Sequence, residues 1–286
     1  MSVDILQEKI RKCKNPSVLE LNLSVADLPP SFEKTAEGYG NYCRGLLEAL
    51  KHLIPAVRFS FCAFALNSTL EELKQTMCYA REQGYYVLLD APEILSPAAA
   101  KMTAESLLGE GSAYPCDGIV ISGYLGSDVI KPFLPYCKKG KKDIFVVART
   151  ANKSAPELQD LLSGSRLVHA AAADHVNRYG ADTAEKFGYT RVGILAATSA
   201  AESLRSLRAK YPKLFLLLDG YDYPNANAKN CSFAFDKYGH GAAVCSGSGI
   251  TCAWNSTEHE PEEPYDAAKT AAERMRKNLT RYVTIL

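Results

Sequence analysis

Eight short apolar runs punctuate the chain: Val18–Leu23, Ala56–Cys62, Tyr86–Leu89, Gly118–Ser122, Ile144–Ala148, Val192–Ala196, Leu214–Leu218 and Ala242–Cys245. None alternates cleanly between apolar and polar residues. A strand wetted on one face would alternate, so unbroken runs predict strands buried on both faces, as in a parallel sheet covered by helices. The segments between them carry helical period. Thr69–Gln83 places Leu70, Leu73, Met77 and Ala80 on one face, and Gly84 follows as a stop signal. Ser199–Lys210 repeats the pattern with Leu204 and Leu207. Strand–helix units repeated along one chain predict an α/β protein, a single (β/α)8 barrel over residues 1–286, with a C-terminal helix over Tyr265–Asn278. No Pro/Gly/Ser linker divides it. The acidic, proline-bearing stretch Asn255–Pro264 predicts a solvated loop.

Barrels of this class do their chemistry at the C-terminal ends of the strands. The runs predict those ends at Asn22, Arg58, Asp90, Ser122, Thr150, Asp219 and Ser246. Arg58, Asp90, Glu93, Asp219 and Asp222 would then share the mouth. Such a set could form a site for a divalent cation or a cationic ligand. The plainer reading is polar residues facing water.

Composition narrows the partners. The 286 residues are 47% hydrophobic and 23% charged, with a net charge of +1. No basic stripe or acidic tail favours nucleic acid or an anionic membrane. The opening MSVDILQEKIRKCKNPSV lacks the apolar core of a signal peptide, and no run approaches the ~20 apolar residues of a membrane span. The cytoplasm is the expected location. Nine scattered cysteines without a C-x-x-C pair read as buried free thiols. His52, His169, His175, His240 and His259 show no metal spacing, so no metal and no cofactor is expected. Cys245, near a strand end and placed beside Asp90, could be a nucleophile, but no histidine can be set beside it, so a buried thiol is the simpler reading. Ser246–Ile250 (SGSGI) is glycine-rich without being a P-loop, and Lys138–Lys142 (KKGKK) reads as a solvated turn.

Two longer blocks, GYLGSDVIKPFL (Gly123–Leu134) and RTANKSAPELQDLL (Arg149–Leu162), resemble the orotidine 5'-monophosphate decarboxylase family in its longer bacterial variety. The resemblance runs over nearly the whole chain and implies the same barrel. It also implies where the family's functional groups would stand. The ribose-holding Asp that ends the family's first strand is Asn22, and the Lys of the second strand is Arg58. The third-strand tract Asp-Ala-Lys-Arg-Gly-Asp reads Asp90-Ala91-Pro92-Glu93-Ile94-Leu95. Pro92 thus stands where the resemblance places a proton-donating Lys, and Leu95 where it places an Asp contributed across a dimer interface. The pyrimidine-reading Thr-Ser-Asn is Thr150-Ala151-Asn152. The phosphate loop reads Asp219-Gly220-Tyr221-Asp222-Tyr223-Pro224-Asn225-Ala226, and the phosphate-clamping Arg is Ser248.

These replacements predict a decarboxylase-like barrel that no longer decarboxylates and is kept for binding or association. The family's shared dimer sites imply a homodimer, or a heterodimer with a related barrel, with Ile94 and Leu95 buried between the partners. A small ligand is left unspecified. A second reading is an enzyme with different chemistry on Arg58, Asp90, Asp219 and Asp222. A third is a divergent active decarboxylase, but the third strand offers no substitute proton donor.

Overall fold

In the computed structural model, which describes residues 3–139, 142–256 and 263–286, all eight runs become strands of one sheet. The described residues form ten strands: β1 Ser17–Leu21, β2 Ala56–Ser60, β3 Tyr86–Asp90, β4 Gly118–Ser122, β5 Asp143–Val147, β6 Leu162–Ser163, β7 Arg166–Leu167, β8 Thr190–Ala197, β9 Leu214–Asp219 and β10 Ala242–Ser246. β6 and β7 form a small antiparallel hairpin outside the barrel. The other eight close in the order β1-β10-β9-β8-β5-β4-β3-β2, every pairing parallel. Helices alternate with them, the (β/α)8 architecture that the apolar runs predict.

The strands are buried along nearly their whole length, which is why they do not alternate. Close approach of β8 and β9 depends on Gly193: a Cβ there would lie 2.5 Å from the Phe215 carbonyl oxygen. The predicted helix at 69–83 spans Leu70–Glu82, with Leu73, Met77 and Ala80 buried. Gly84 ends it at φ +83°, a left-handed conformation that glycine adopts at little cost. The last helix, Pro264–Thr280, stacks its Tyr265 on Tyr42 of the helix Ala36–Leu50, ring centroids 5.7 Å apart. Gly45 leaves room for that ring.

Two predicted strand ends need correction. β2 runs on to Ser60, so Arg58 is an interior residue and not its end. The reason is a cap: Ser60 Oγ accepts the Ala63 N–H at 3.2 Å and starts the helix Phe61–Leu66. β5 stops at Val147, three residues before Thr150. Most of the Asn255–Pro264 loop, together with His259, Gly140 and Lys141, lies outside the described residues. No helix among the described residues is long and apolar enough to cross a membrane.

Candidate functional site at the barrel mouth

Arg58 is the centre of the site because β2 points it into the barrel interior, where its side chain is 8% exposed. Its Nε donates to Asp90 Oδ1 at 2.7 Å, and Nη1 donates to Asp219 Oδ1 at 2.7 Å. Glu20 Oε1 lies 3.4 Å from the same Nη1. Glu20 is the cross-strand neighbour of Arg58 in the β1–β2 register. β1, β2, β3 and β9 thus bring three carboxylates round one guanidinium.

That imbalance sets the protonation chemistry. Burial works against the Arg58 charge, but Asp90, Glu20 and Asp219 outweigh it and hold its pKa well above the ordinary value. Burial also raises the Asp90 carboxyl, against the pull of Arg58. Glu20 is pushed up to about 7, chiefly by burial and further by Asp219 and Asp90, with Arg58 opposing. It is therefore a carboxyl that exchanges its proton near neutral pH.

Glu20 is missing from the expectations above, although a signal was present. It is the acidic residue inside the apolar run Val18–Leu23, on a strand otherwise buried. A charge at an inward position of a barrel strand needs a partner, and the partner is Arg58.

Cys245 sits against this cluster, where the charge of Arg58 acts to lower its pKa. It is fully buried, and burial raises its pKa well above the ordinary thiol value, so a thiol and not a thiolate stands there. Among the described residues no histidine joins it. His169 is on the helix Val168–Gly180, bound to Asp160 at 3.0 Å, and His175 on the same helix meets Arg178. Among the described residues no group of side chains is arranged to hold a metal.

Above the cluster lies a cavity of about 280 Å³, lined by Glu20, Asn22, Asp219, Gly220, Asp222, Tyr223, Cys245, Gly247 and Ser248. None of these is cationic. Asp222 does not join Arg58. Its Oδ1 accepts the Ser246 hydroxyl and its Oδ2 the Gly247 N–H, both at 2.6 Å. The candidate set therefore separates into Arg58–Asp90–Asp219 with Glu20, and Asp222 bound to the end of β10.

A second cavity, of about 370 Å³, holds Arg149, Ala151, Asn152, Lys153, Pro224 and Asn225 among its walls, and Tyr223 lines both. Thr150 is tied down beside it: it donates to Asn152 Oδ1 at 2.5 Å, while Gln159 Nε2 donates to it at 2.8 Å. Arg149 is committed to a two-pronged pair with Asp160, at 3.0 and 2.8 Å. Among the described residues, Pro92 and Glu93 follow β3 without a hydrogen bond or ion pair to the Arg58 cluster. Leu95 is 70% exposed, whereas Ile94 is 3% exposed and already packed in its own chain. Ile94 is thus not left for a partner to bury, while Leu95 stands exposed in the single chain. Of the KKGKK turn, Lys138 pairs with Asp182 and Lys142 donates to the Cys116 carbonyl.

A closed parallel barrel with its ionisable cluster towards the carboxyl ends of the strands defines the class of (β/α)8 barrels. Within that class the chain resembles the orotidine 5'-phosphate decarboxylases. It is 25% identical over 293 aligned residues to the orotidine 5'-phosphate decarboxylase of Caldicellulosiruptor saccharolyticus, covering 94% of this chain and 96% of the relative. It is 32% identical over 190 residues to that of Clostridium perfringens, where the match spans 66% of this chain and 65% of the relative. The Leishmania donovani OMP decarboxylase structure superposes with a TM-score of 0.75 at 22% identity, over 98% of this chain and 99% of that one. No family model matches the sequence.

Proposed function

We propose that this chain is a single decarboxylase-like barrel domain, cytoplasmic, that has given up decarboxylation for a binding or association role connected with pyrimidine nucleotide synthesis. The observation that supports this reading best is the state of its central cation. Arg58 is the cationic group at the heart of the mouth, and it is saturated by Asp90, Asp219 and Glu20. A decarboxylase needs an acid that can deliver a proton to carbon. Pro92, which stands at the position where the resemblance places that donor, has no side-chain proton. The residues facing the 280 Å³ cavity are acidic or neutral, which disfavours a phosphate monoester there.

The test is direct. The purified protein should show no turnover of orotidine 5'-monophosphate, and uridine 5'-monophosphate should give no heat of binding in calorimetry. Turnover above background that disappears in Asp90→Asn would overturn the reading.

The association half of the proposal rests on Leu95. With Leu66, Met102 and Leu125 it is an exposed large apolar residue on the connections after β2, β3 and β4. We take the partner to be a second copy or a related barrel. Leu95→Asp should weaken a homodimer in light scattering, and a monomer at tens of micromolar in the unaltered protein would remove that role.

A second reading, an enzyme with different chemistry, is favoured by Glu20. A carboxyl titrating near 7 on the wall of a cavity is suited to general acid–base work. Carbon-13 NMR of the Glu carboxyls should find a midpoint near 7 that is lost in Glu20→Gln. A midpoint near 4.5 would discard this reading.

A further inference from the structure

A groove runs along the flank of the barrel, between the helix Pro97–Leu108 and three short helical turns, Ser127–Ile130, Lys131–Phe133 and Leu134–Lys138. It consists of two cavities, of about 610 Å³ and 630 Å³, that meet at Pro135 and Tyr136, which line both. One wall is a single stripe of the long helix: Pro97, Lys101, Glu105 and Leu108, three or four residues apart. The facing wall repeats that spacing with Asp128, Pro132, Pro135, Tyr136 and Lys139. The long helix has 12 residues. It therefore extends about 18 Å, the span of about five residues of extended chain.

The two halves differ in charge. In the first, Lys101 lies 3.8 Å from Glu105 and Lys131 lies 3.9 Å from Asp128, so each cation has its own carboxylate. In the second, Arg81, Lys139 and Lys142 share one carboxylate, Glu110. Lys142 donates to the Cys116 carbonyl, but among the described residues the side chains of Arg81 and Lys139 make no hydrogen bond or ion pair. Nor do they cap the helices on which they stand. The Tyr79, Ala80 and Arg81 carbonyls accept the amides of Gln83, Tyr85 and Gly84, and the Pro135 and Tyr136 carbonyls accept those of Lys139 and Lys142. These exposed cations, beside the rings of Tyr114 and Tyr136, complement an anionic partner.

We infer that the groove is a docking site for an extended peptide segment of another protein, apolar in one half and acidic in the other. The apolar half lies on Pro97, Pro132, Pro135 and the Tyr136 ring, and the carboxylates meet Arg81, Lys139 and Lys142. A proline-bearing extended segment is already stiff, so it loses little entropy when it docks against aromatic rings. A small anion would satisfy the cations but leave the first cavity unfilled. The groove shares no residue with either cavity at the mouth, and the inference does not rest on the functional reading.

Fluorescence anisotropy with the whole chain and the labelled peptide Leu-Pro-Leu-Glu-Asp-Glu tests this at low salt, where exposed charges are least screened. The peptide should bind with a Kd below about 100 μM. Two control peptides, Leu-Pro-Leu-Lys-Arg-Lys and Ser-Gly-Ser-Glu-Asp-Glu, should each bind at least about tenfold more weakly. Arg81→Gln combined with Lys139→Gln should weaken the first peptide about tenfold, and Tyr136→Ala should do the same. Both cations are exposed and unbonded, so the double variant should keep the fold where the tyrosine variant does not. Anisotropy that stays flat up to about 1 mM protein would overturn the inference. So would equal binding of the Ser-Gly-Ser peptide, which reports charge alone. An affinity unchanged in the double variant would place the peptide elsewhere and overturn it too.

Discussion

At the mouth of the barrel, buried carboxylates face a guanidinium; at its floor, they face a phenol and backbone amides. Asp143, at the start of β5, is fully buried and accepts the Tyr86 hydroxyl and the Val3 N–H, while its Oδ1 has no partner among the described residues. Asp117, just before β4, accepts the Val87 N–H at 2.9 Å, and its Oδ1 is likewise unpartnered among the described residues. Burial is the dominant cause at both, pushing Asp143 up to about 8 and Asp117 above the ordinary range. Burial at the floor thus favours the neutral form of both acids. The mouth keeps Asp90 and Asp219 as ion-pair partners because Arg58 is within 2.7 Å of each. One end stores neutral polarity for structure, and the other maintains a charged network beside a cavity.

The most severe way to break this contrast is to remove the cation. Arg58→Met should cost about 3–5 kcal/mol at pH 7, because it leaves buried carboxylates without a counter-charge. Urea unfolding would measure it, and the loss should shrink at pH 5 as the carboxyls take up protons. A loss below about 1 kcal/mol would mean that the network contributes little, as exposed pairs do.

Removing the floor's acid should have the next largest effect, with a definite sign. Asp143 has a folded pKa raised from 3.8 to about 8, so between those values the native state binds more protons than the unfolded one. Its contribution is complete below the unfolded pKa and is lost as pH rises through the folded pKa. Asp143→Asn removes this dependence while retaining an acceptor for Tyr86. Its stability relative to the unaltered protein should therefore improve from pH 5 to pH 8 by at least about 1.4 kcal/mol, the equivalent of one pKa unit. Parallel stability curves for the two proteins across that range would contradict the protonated-floor account.

Glu20 sharpens the comparison most finely, since it is a mouth residue with floor-like behaviour. At pH 5 its carboxyl already holds a proton, so Glu20→Gln should change stability by under about 1 kcal/mol there. A larger loss at pH 5 would show that Glu20 is a full ionic partner of Arg58.

How much of this was readable in advance divides along a physical line. The eight buried runs, the helix stopped by Gly84 and the final helix are consequences of local periodicity, and they appear where the pattern puts them to within a few residues. The two misplaced strand ends, at Arg58 and Thr150, depend on local hydrogen bonding. The Ser60 cap is a side chain choosing the backbone of Ala63, which an apolar run does not announce. Candidate residues were legible as types: Arg58, Asp90, Asp219 and Asp222 stood out as charges near strand ends.

Their grouping was not legible. Arg58 meets Asp90 from 32 residues away and Asp219 from 161, and only closure of the barrel sets those distances. The sequence groups Asp222 with Arg58 as a charge near a strand end, yet its carboxylate turns to Gly247, 25 residues on. The importance of Glu20 comes from its inward orientation and from Arg58 on the adjoining strand, neither of which a run of residues displays. The sequence by itself determined the barrel, since burial on both faces of each strand is written in consecutive residues. Which charges meet, which carboxyls keep their protons and which loop is tied down were decided only in the tertiary structure, because those depend on distance and desolvation between segments remote in the chain.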